Sequence, residues 1–322
     1  MKNFNPLFFQ ASLAVGGLAL MPFNYLQFSI PHGKGLVKLS DVVWSSFNGT
    51  QAWLYGTLIV IMFVAMVVHF VLTLVFLKDL YGWLKKKKEP MELINDPYKN
   101  VTIFAIIASL AMSINVFWAP VGFFVPQVSA GLQSLMMPSL VYFGVLWVIL
   151  LALELKVIKV LFTGAADINK FNFIWLLDVF AFGLVNLAGS GVAATAGNPL
   201  IAGLAATGTI FTLIIGLFIL AAKIVYLLTI QIKVGKLPDD SILPAFFLVV
   251  PITCLYGISL YRLTSYFQSF LSIDLSSVLF LIINFSYMVA VAWTLFIIYL
   301  LGSYLKNQFM KSSYSAPQWS MV

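Results

Sequence analysis

Long apolar runs without charged residues dominate this chain of 322 residues. One of them extends from Pro199 to Ala222, which is more than the roughly 20 residues that a helix needs to cross a bilayer. Charged residues make up 9% of the chain and apolar residues 61%, against about 25% charged in a soluble domain. The sequence therefore predicts an all-α, polytopic membrane protein and excludes a soluble globular fold.

Eight membrane spans are predicted, and no segment between them is long or polar enough to form a soluble domain. We therefore treat 1–322 as a single transmembrane domain. The predicted spans lie at 7–28, 52–77, 101–119, 138–160, 172–195, 199–230, 242–262 and 276–305.

Lysine is distributed unequally between the two sides of these spans. With the N-terminus placed inside, 15 lysines fall on that side, whereas the other side carries only Lys34, Lys38 and Arg262. The positive-inside rule then predicts a cytoplasmic N-terminus in the plasma (inner) membrane. The same rule accounts for the net charge of +7, so no nucleic-acid partner is expected.

Glycine and proline interrupt the odd-numbered spans more than most of the even ones, although the third and sixth spans weaken the contrast. Pro251 inside the seventh span predicts a bend, and a carbonyl freed by the bend must be buried in protein or face a wet cavity. This pattern favours odd-numbered helices around a central pore, whereas ordinary packing of small residues explains it equally well. The pore-lining or helix-bend candidates are Gly16, Gly17, Pro22, Gly189, Gly191, Phe246, Phe247, Pro251 and Gly257.

Three ionisable residues inside the spans are candidates for function, because charge in a membrane is costly. Glu154 and Lys156 lie near the cytoplasmic end of the fourth span, where pairing or snorkelling at the interface explains them. Asp178 lies two turns into the fifth span, either as a proton-relay or substrate group or paired with a Lys or Arg. Arg262 and Lys223 are interpreted as snorkelling near helix ends.

Groups for catalysis and for cofactors are almost absent. His69 is the one intramembrane histidine, so a pair of axial haem ligands cannot form, and we interpret it as a hydrogen-bonded core residue. No metal-ligand spacing or nucleotide-binding motif occurs. We expect no enzymatic activity, no cofactor and no metal. Because the spans contain few carboxylates, the sequence favours channel-like passage of a small anion, which helix N-termini and backbone N–H groups would hold. Membrane lipid is the other expected partner of the protein.

Several segments, taken in order, resemble the tellurite-resistance/dicarboxylate transporter family, which includes slow anion channels, malate permeases and sulfite exporters. The resemblance implies ten helices in five hairpins, with the odd helices around a pore and often a homotrimer. About eight of those ten are present, so the C-terminal helices would be missing and the family's gating phenylalanine matches no residue here. The similar segments are Phe9–Phe23, Asn95–Pro97, Leu153–Lys156, Leu243–Pro251 and Ser315–Val322.

Three functions remain open from the sequence. The first is an anion channel. The second is a gradient-coupled exporter of dicarboxylate, sulfite or tellurite-related anions. The third is the membrane anchor subunit of a quinone-linked respiratory complex, with the charged stretch 78–100 as the docking loop.

Overall fold

The computed structural model describes residues 4–33, 35–164, 166–309 and 316–321. In these ranges the regular structure is helical throughout, and no strand occurs. The predicted all-α, polytopic membrane architecture is confirmed.

Eight long helices make up the domain, and short helical turns lie in the connections between them. Each long helix coincides with one of the predicted spans. They are α1 (Phe9–Ser29), α2 (Gly49–Lys85), α3 (Phe104–Val116), α4 (Leu132–Thr163), α5 (Leu177–Thr195), α6 (Pro199–Val234), α7 (Val249–Leu271) and α8 (Ser276–Leu300).

Seven helical segments of the described chain are long and apolar enough to cross a membrane, and α4 is not one of them. Nevertheless, α4 runs from one end of the bundle to the other. At its start the Gln133 amide donates to the Thr195 carbonyl at 2.8 Å, and just beyond its end the Asp167 N–H donates to the Tyr98 hydroxyl at 2.6 Å. We call the end that holds Tyr98 and Asp167 the lysine-rich end, because the run of lysines 85–88, at the end of α2, belongs to it.

The helices form four hairpins, each with one buried and one exposed member. The buried members are α1, α3, α5 and α7, of which α1 packs on α3, α3 on α5, and α5 on α7. The span that contains α5 is 89% buried, whereas the span of α8 is only 11% buried. The segment Ala316–Met321 contacts both α1 and the turn that precedes α7. The odd-numbered helices thus lie inside, as the pattern of glycine and proline predicts.

Local sequence signals set the ends of the outer helices. The Asn48 side chain accepts from the Gln51 N–H at 2.9 Å, and the Gln51 side-chain oxygen accepts from the Asn48 N–H at 3.2 Å. These two hydrogen bonds together cap the start of α2. The Asn198 carboxamide oxygen accepts from the N–H groups of Leu200 and Ile201 at the start of α6. Gly235 ends α6 with φ +63°, a left-handed conformation that glycine adopts without steric cost.

The inner helices depart from regular α-helical geometry near their ends. Pro120 lies in a π-helical turn, Phe117–Val121, because a residue without an N–H shifts the hydrogen-bond register. The structure differs from the expected mid-helix position of Pro251. The chain is 3₁₀-helical over Leu243–Leu248, and Pro251 lies in the first α-helical turn that follows, where its missing N–H costs little.

Candidate functional site

Two cavities lie along the inner faces of α1, α3, α5 and α7. The larger, of about 490 Å³, lies toward the end opposite the lysine-rich end, and we call it the wide cavity. Polar side chains, Arg262 among them, and apolar residues of all four inner helices line it. The lining includes Asn24, Gln27, Asn115, Trp118, Gly191 and Arg262.

The second cavity, of about 120 Å³, lies toward the lysine-rich end, and we call it the narrow cavity. The same four helices line it, together with Trp319 and Ser320 of the C-terminal segment. Its lining is mostly apolar, and Gln10 is the polar side chain that α1 adds to it. The Gln10 carboxamide oxygen is buried without a hydrogen-bond partner, so this cavity contains a polar group with unused bonding capacity.

The two cavities are separated by one helical turn. On each inner helix, the last residue lining the narrow cavity is followed three positions later by a residue lining the wide one. Three residues of α-helix rise about 4.5 Å, and among the eight residues that bound this turn only Asn115 has a polar side chain. The pairs are Gly17 and Leu20 in α1, Met112 and Asn115 in α3, Leu184 and Leu187 in α5, and Leu255 and Ile258 in α7.

Arg262 brings an unpaired positive charge to the wide cavity. It lies nine residues before the end of α7, about 14 Å along the helix axis, so the snorkelling interpretation was wrong. The guanidinium Nη1 donates to the Leu187 carbonyl at 3.0 Å. Over the part of the chain that the structure describes, no carboxylate lies within 4.0 Å of this guanidinium.

Gly191 allows the arginine to approach α5. A Cβ atom at this position would lie 2.9 Å from the Trp118 ring and 3.1 Å from Nη1 of Arg262. Both distances are too short for an undisturbed contact, so glycine is what leaves room for the two side chains. The candidate Gly191 thus lines the wide cavity at the point where its arginine is held.

The π-helical turn that directly follows α3 positions an aromatic side chain, Trp118, in the lining of the wide cavity. Trp118 lies in this turn, and its indole N–H donates to the Ser139 hydroxyl of α4 at 3.1 Å. This bond satisfies the polar edge of the ring and leaves its apolar surface toward the cavity. A π-helical turn often marks a functional site, and here it orients a ring beside Arg262.

A second charged group is enclosed near the lysine-rich end. Asp178 of α5 is fully buried, and its carboxylate accepts from the Lys223 ammonium of α6. The same ammonium donates to the Trp175 carbonyl at 2.7 Å and lies 4.4 Å from the centre of the Trp175 ring. The structure therefore shows the predicted pairing of Asp178 with a cation. Lys223 does not snorkel, because it lies eleven residues before the end of α6.

The remaining candidates separate into cavity-lining and packing residues. Gly17 and Pro251 line the narrow cavity. Lys156 is exposed, whereas Glu154, two residues earlier in the same helix, is buried, so the two side chains lie on different faces and do not form a pair. The candidates that line neither of the two cavities are Gly16, Pro22, Gly189, Phe246, Phe247 and Gly257.

His69 is a core residue, as the sequence indicated. Its Nδ1 lies 2.7 Å from the Ser12 carbonyl oxygen and its Nε2 lies 3.0 Å from the Ser113 hydroxyl. With both ring nitrogens bonded, the imidazole links α1, α2 and α3. Gly16 makes room for it, since a Cβ there would lie 2.8 Å from Nδ1.

Sequence reasoning missed Arg262 and Lys223 as interior groups. A signal was present for Lys223, which lies seven residues inside the predicted span 199–230, whereas Arg262 is the last residue of the predicted span 242–262 and the extension of its helix to Leu271 is seen only in the structure. The sequence could not show which of the two has a carboxylate partner, since Asp178 and Lys223 are 45 residues apart along the chain.

Comparison of the chain with protein-family models, with curated proteins and with solved structures found no match. We therefore infer the function of the chain from the arrangement of its helices, cavities and charged groups.

Proposed function

We propose that this protein transports small anions across the membrane, channel-like, along the path between the odd-numbered helices. The observation that carries the proposal is Arg262, an arginine without a carboxylate partner in the lining of the wide cavity. A cation at membrane depth needs a compensating charge, and a mobile anion would supply it. Membership of the tellurite-resistance/dicarboxylate transporter family, and a homotrimeric assembly, belong to the same proposal.

The turn between the cavities supports a channel-like pathway. The residues that bound it toward the two cavities are mainly Leu, Ile and Met, and a narrow apolar constriction blocks ions by excluding water. A barrier only one turn thick can be opened by a small displacement of the inner helices. The wide cavity would then attract the anion, and the narrow cavity would receive it.

The decisive experiment is reconstitution into liposomes, with chloride, nitrate and malate as the test anions. We expect anion-dependent flux or current that exceeds that of potassium. Arg262→Gln should lower the flux by at least about tenfold, because a charge some 4 Å from the ion contributes several kcal/mol even at an effective dielectric constant of about 20.

Lys38→Gln is the matched control. Lys38 lies on the same end of the protein but outside the lining of the wide cavity, so its flux should match that of the unmodified protein. Equal loss in both variants would assign the effect to surface charge. Cation flux equal to anion flux, or no flux at all, would contradict the proposal.

The anchor-subunit alternative receives no specific support. His69 has both ring nitrogens engaged in hydrogen bonds, so it has no nitrogen free for a haem iron in this arrangement. The gradient-coupled alternative is favoured by one observation, the buried carboxylates around Lys223.

A further inference from the structure

We propose that Glu154 is a proton-binding site, controlled by the neighbouring ion pair of Asp178 and Lys223, and that it couples anion movement to protons. The second half of this statement rests on the proposed function. The first half concerns the protein itself and holds or fails independently of transport.

The site is a cluster of three ionisable side chains from three helices. Glu154 of α4, Asp178 of α5 and Lys223 of α6 are all buried, with residue exposures of 4%, 0% and 7%. The helix of Glu154, α4, packs against both α5 and α6, and the charges of Asp178 and Lys223 both act on the Glu154 carboxyl group. The cluster lies about 16 Å from the end of α6, well inside the bundle.

The charges in this cluster do not balance. Two carboxylates share one ammonium, so full ionisation leaves one negative charge buried without compensation. The ammonium is already committed to Asp178 and to the Trp175 carbonyl, whereas Oε2 of Glu154 is buried without a hydrogen-bond partner. An isolated buried charge is so costly that the group takes up a proton instead. A proton on Glu154 restores neutrality.

Among the residues that the structure describes, the groups that act on Glu154 from the neighbouring helices include no cation besides Lys223. Asp178 and Lys223 face it from α5 and α6, and Tyr256 of α7 interacts with both carboxylates. The short helix Lys88–Asn95 also packs against α4, but its acidic residues Glu89 and Glu92 are exposed and pair with lysines at the surface.

The cluster lies directly behind the wall of the narrow cavity. Asp178 is two residues from Phe180, and Tyr256 follows Leu255; Phe180 and Leu255 both line that cavity. The Tyr256 hydroxyl donates to the Val179 carbonyl at 3.2 Å, which joins α7 to α5 beside the ion pair. A change in the charge of the cluster therefore acts on α5 and α7, two of the four helices that line the narrow cavity.

Infrared spectroscopy tests the proton site directly. The purified protein should show the C=O stretch of a protonated carboxylic acid at neutral pH, and Glu154→Gln should remove it. Asp178→Asn should remove it as well, because Lys223 is then free to pair with Glu154, which gives up its proton. Glu92→Gln, at an exposed carboxylate, should leave the band unchanged. A band that survives in Glu154→Gln, or no band in the unmodified protein, would overturn the proton site.

Liposomes containing a pH-sensitive dye test the coupling. An imposed chloride gradient should drive proton movement through the unmodified protein. Glu154→Gln should lower the proton movement about tenfold while chloride flux stays within twofold. Chloride flux without proton movement in the unmodified protein would overturn the coupling and leave the proposed function intact. No chloride flux at all would overturn the proposed function, and the infrared result would still decide the proton site.

Discussion

Two cations, the buried Lys223 and the partly buried Arg262, occupy opposite halves of this bundle and have opposite surroundings. Lys223, near the lysine-rich end, lies against Asp178 and the Trp175 carbonyl and lines neither cavity. Arg262, toward the other end, has one backbone carbonyl as its hydrogen-bond partner and lines the wide cavity. The comparison teaches that a charge within a membrane bundle is either compensated by the protein, and then structural, or left for a ligand to compensate.

The largest effect should follow from removing the compensated charge. Lys223→Met leaves Asp178 buried without a charged partner, and breaking a buried ion pair costs about 3–5 kcal/mol. We expect a marked loss of thermal stability in detergent, measured by tryptophan fluorescence. Arg262→Met should cost far less, since no carboxylate is left unpaired.

Two further variants make this difference specific. Lys306→Met, at an exposed lysine, controls for loss of positive charge alone and should melt like the unmodified protein. The double variant Lys223→Met with Asp178→Asn should recover part of the lost stability. If Arg262→Met is destabilised as strongly as Lys223→Met, the distinction between the two cations is wrong.

A smaller difference is expected between alanine substitutions at two glycines of α5, Gly189 and Gly191, which lie two positions apart. A Cβ on Gly189 would lie 2.5 Å from the Phe143 ring, within the packing against α4, so Gly189→Ala should lower stability by about 1–3 kcal/mol, the usual cost of overpacking. Gly191→Ala should mainly lower anion flux, because its new methyl group displaces Trp118 and Arg262 at the wide cavity. Thermal melting and liposome flux, measured on both variants, check this.

Gly144→Ala is the matched control for both glycines. Gly144 lies within α4, and a Cβ there would have no neighbouring atom within 4 Å. Replacing a helical glycine by alanine should then raise stability by about 0.5–1 kcal/mol and leave flux unchanged. Identical behaviour of the variants at 189 and 191 would show that Gly191 has no special relation to the cavity.

The sequence predicted most of the fold and part of the site, for physical reasons. Apolar runs locate spans because each helix satisfies its own backbone in lipid, and glycine and proline indicated the inner helices. Pro251 was misjudged because a 3₁₀ segment ahead of it changes its position within the helix. Arg262 and Lys223 were judged from distance to a helix end, whereas their surroundings depend on contacts with α5, which is remote in sequence.

The smallest effect should come from a substitution that keeps the charge of Arg262. Arg262→Lys retains a cation in the wide cavity but loses the fixed guanidinium geometry that reaches the Leu187 carbonyl. Loss of one hydrogen bond costs about 1 kcal/mol, so anion flux should fall only roughly fivefold, against at least about tenfold for Arg262→Gln. Measuring both variants in the same liposomes over a range of chloride concentrations separates charge from geometry. If the lysine variant is as inactive as the glutamine variant, the geometry of the guanidinium rather than its unpaired charge governs anion passage, and the contrast with Lys223 cannot be explained by charge compensation alone.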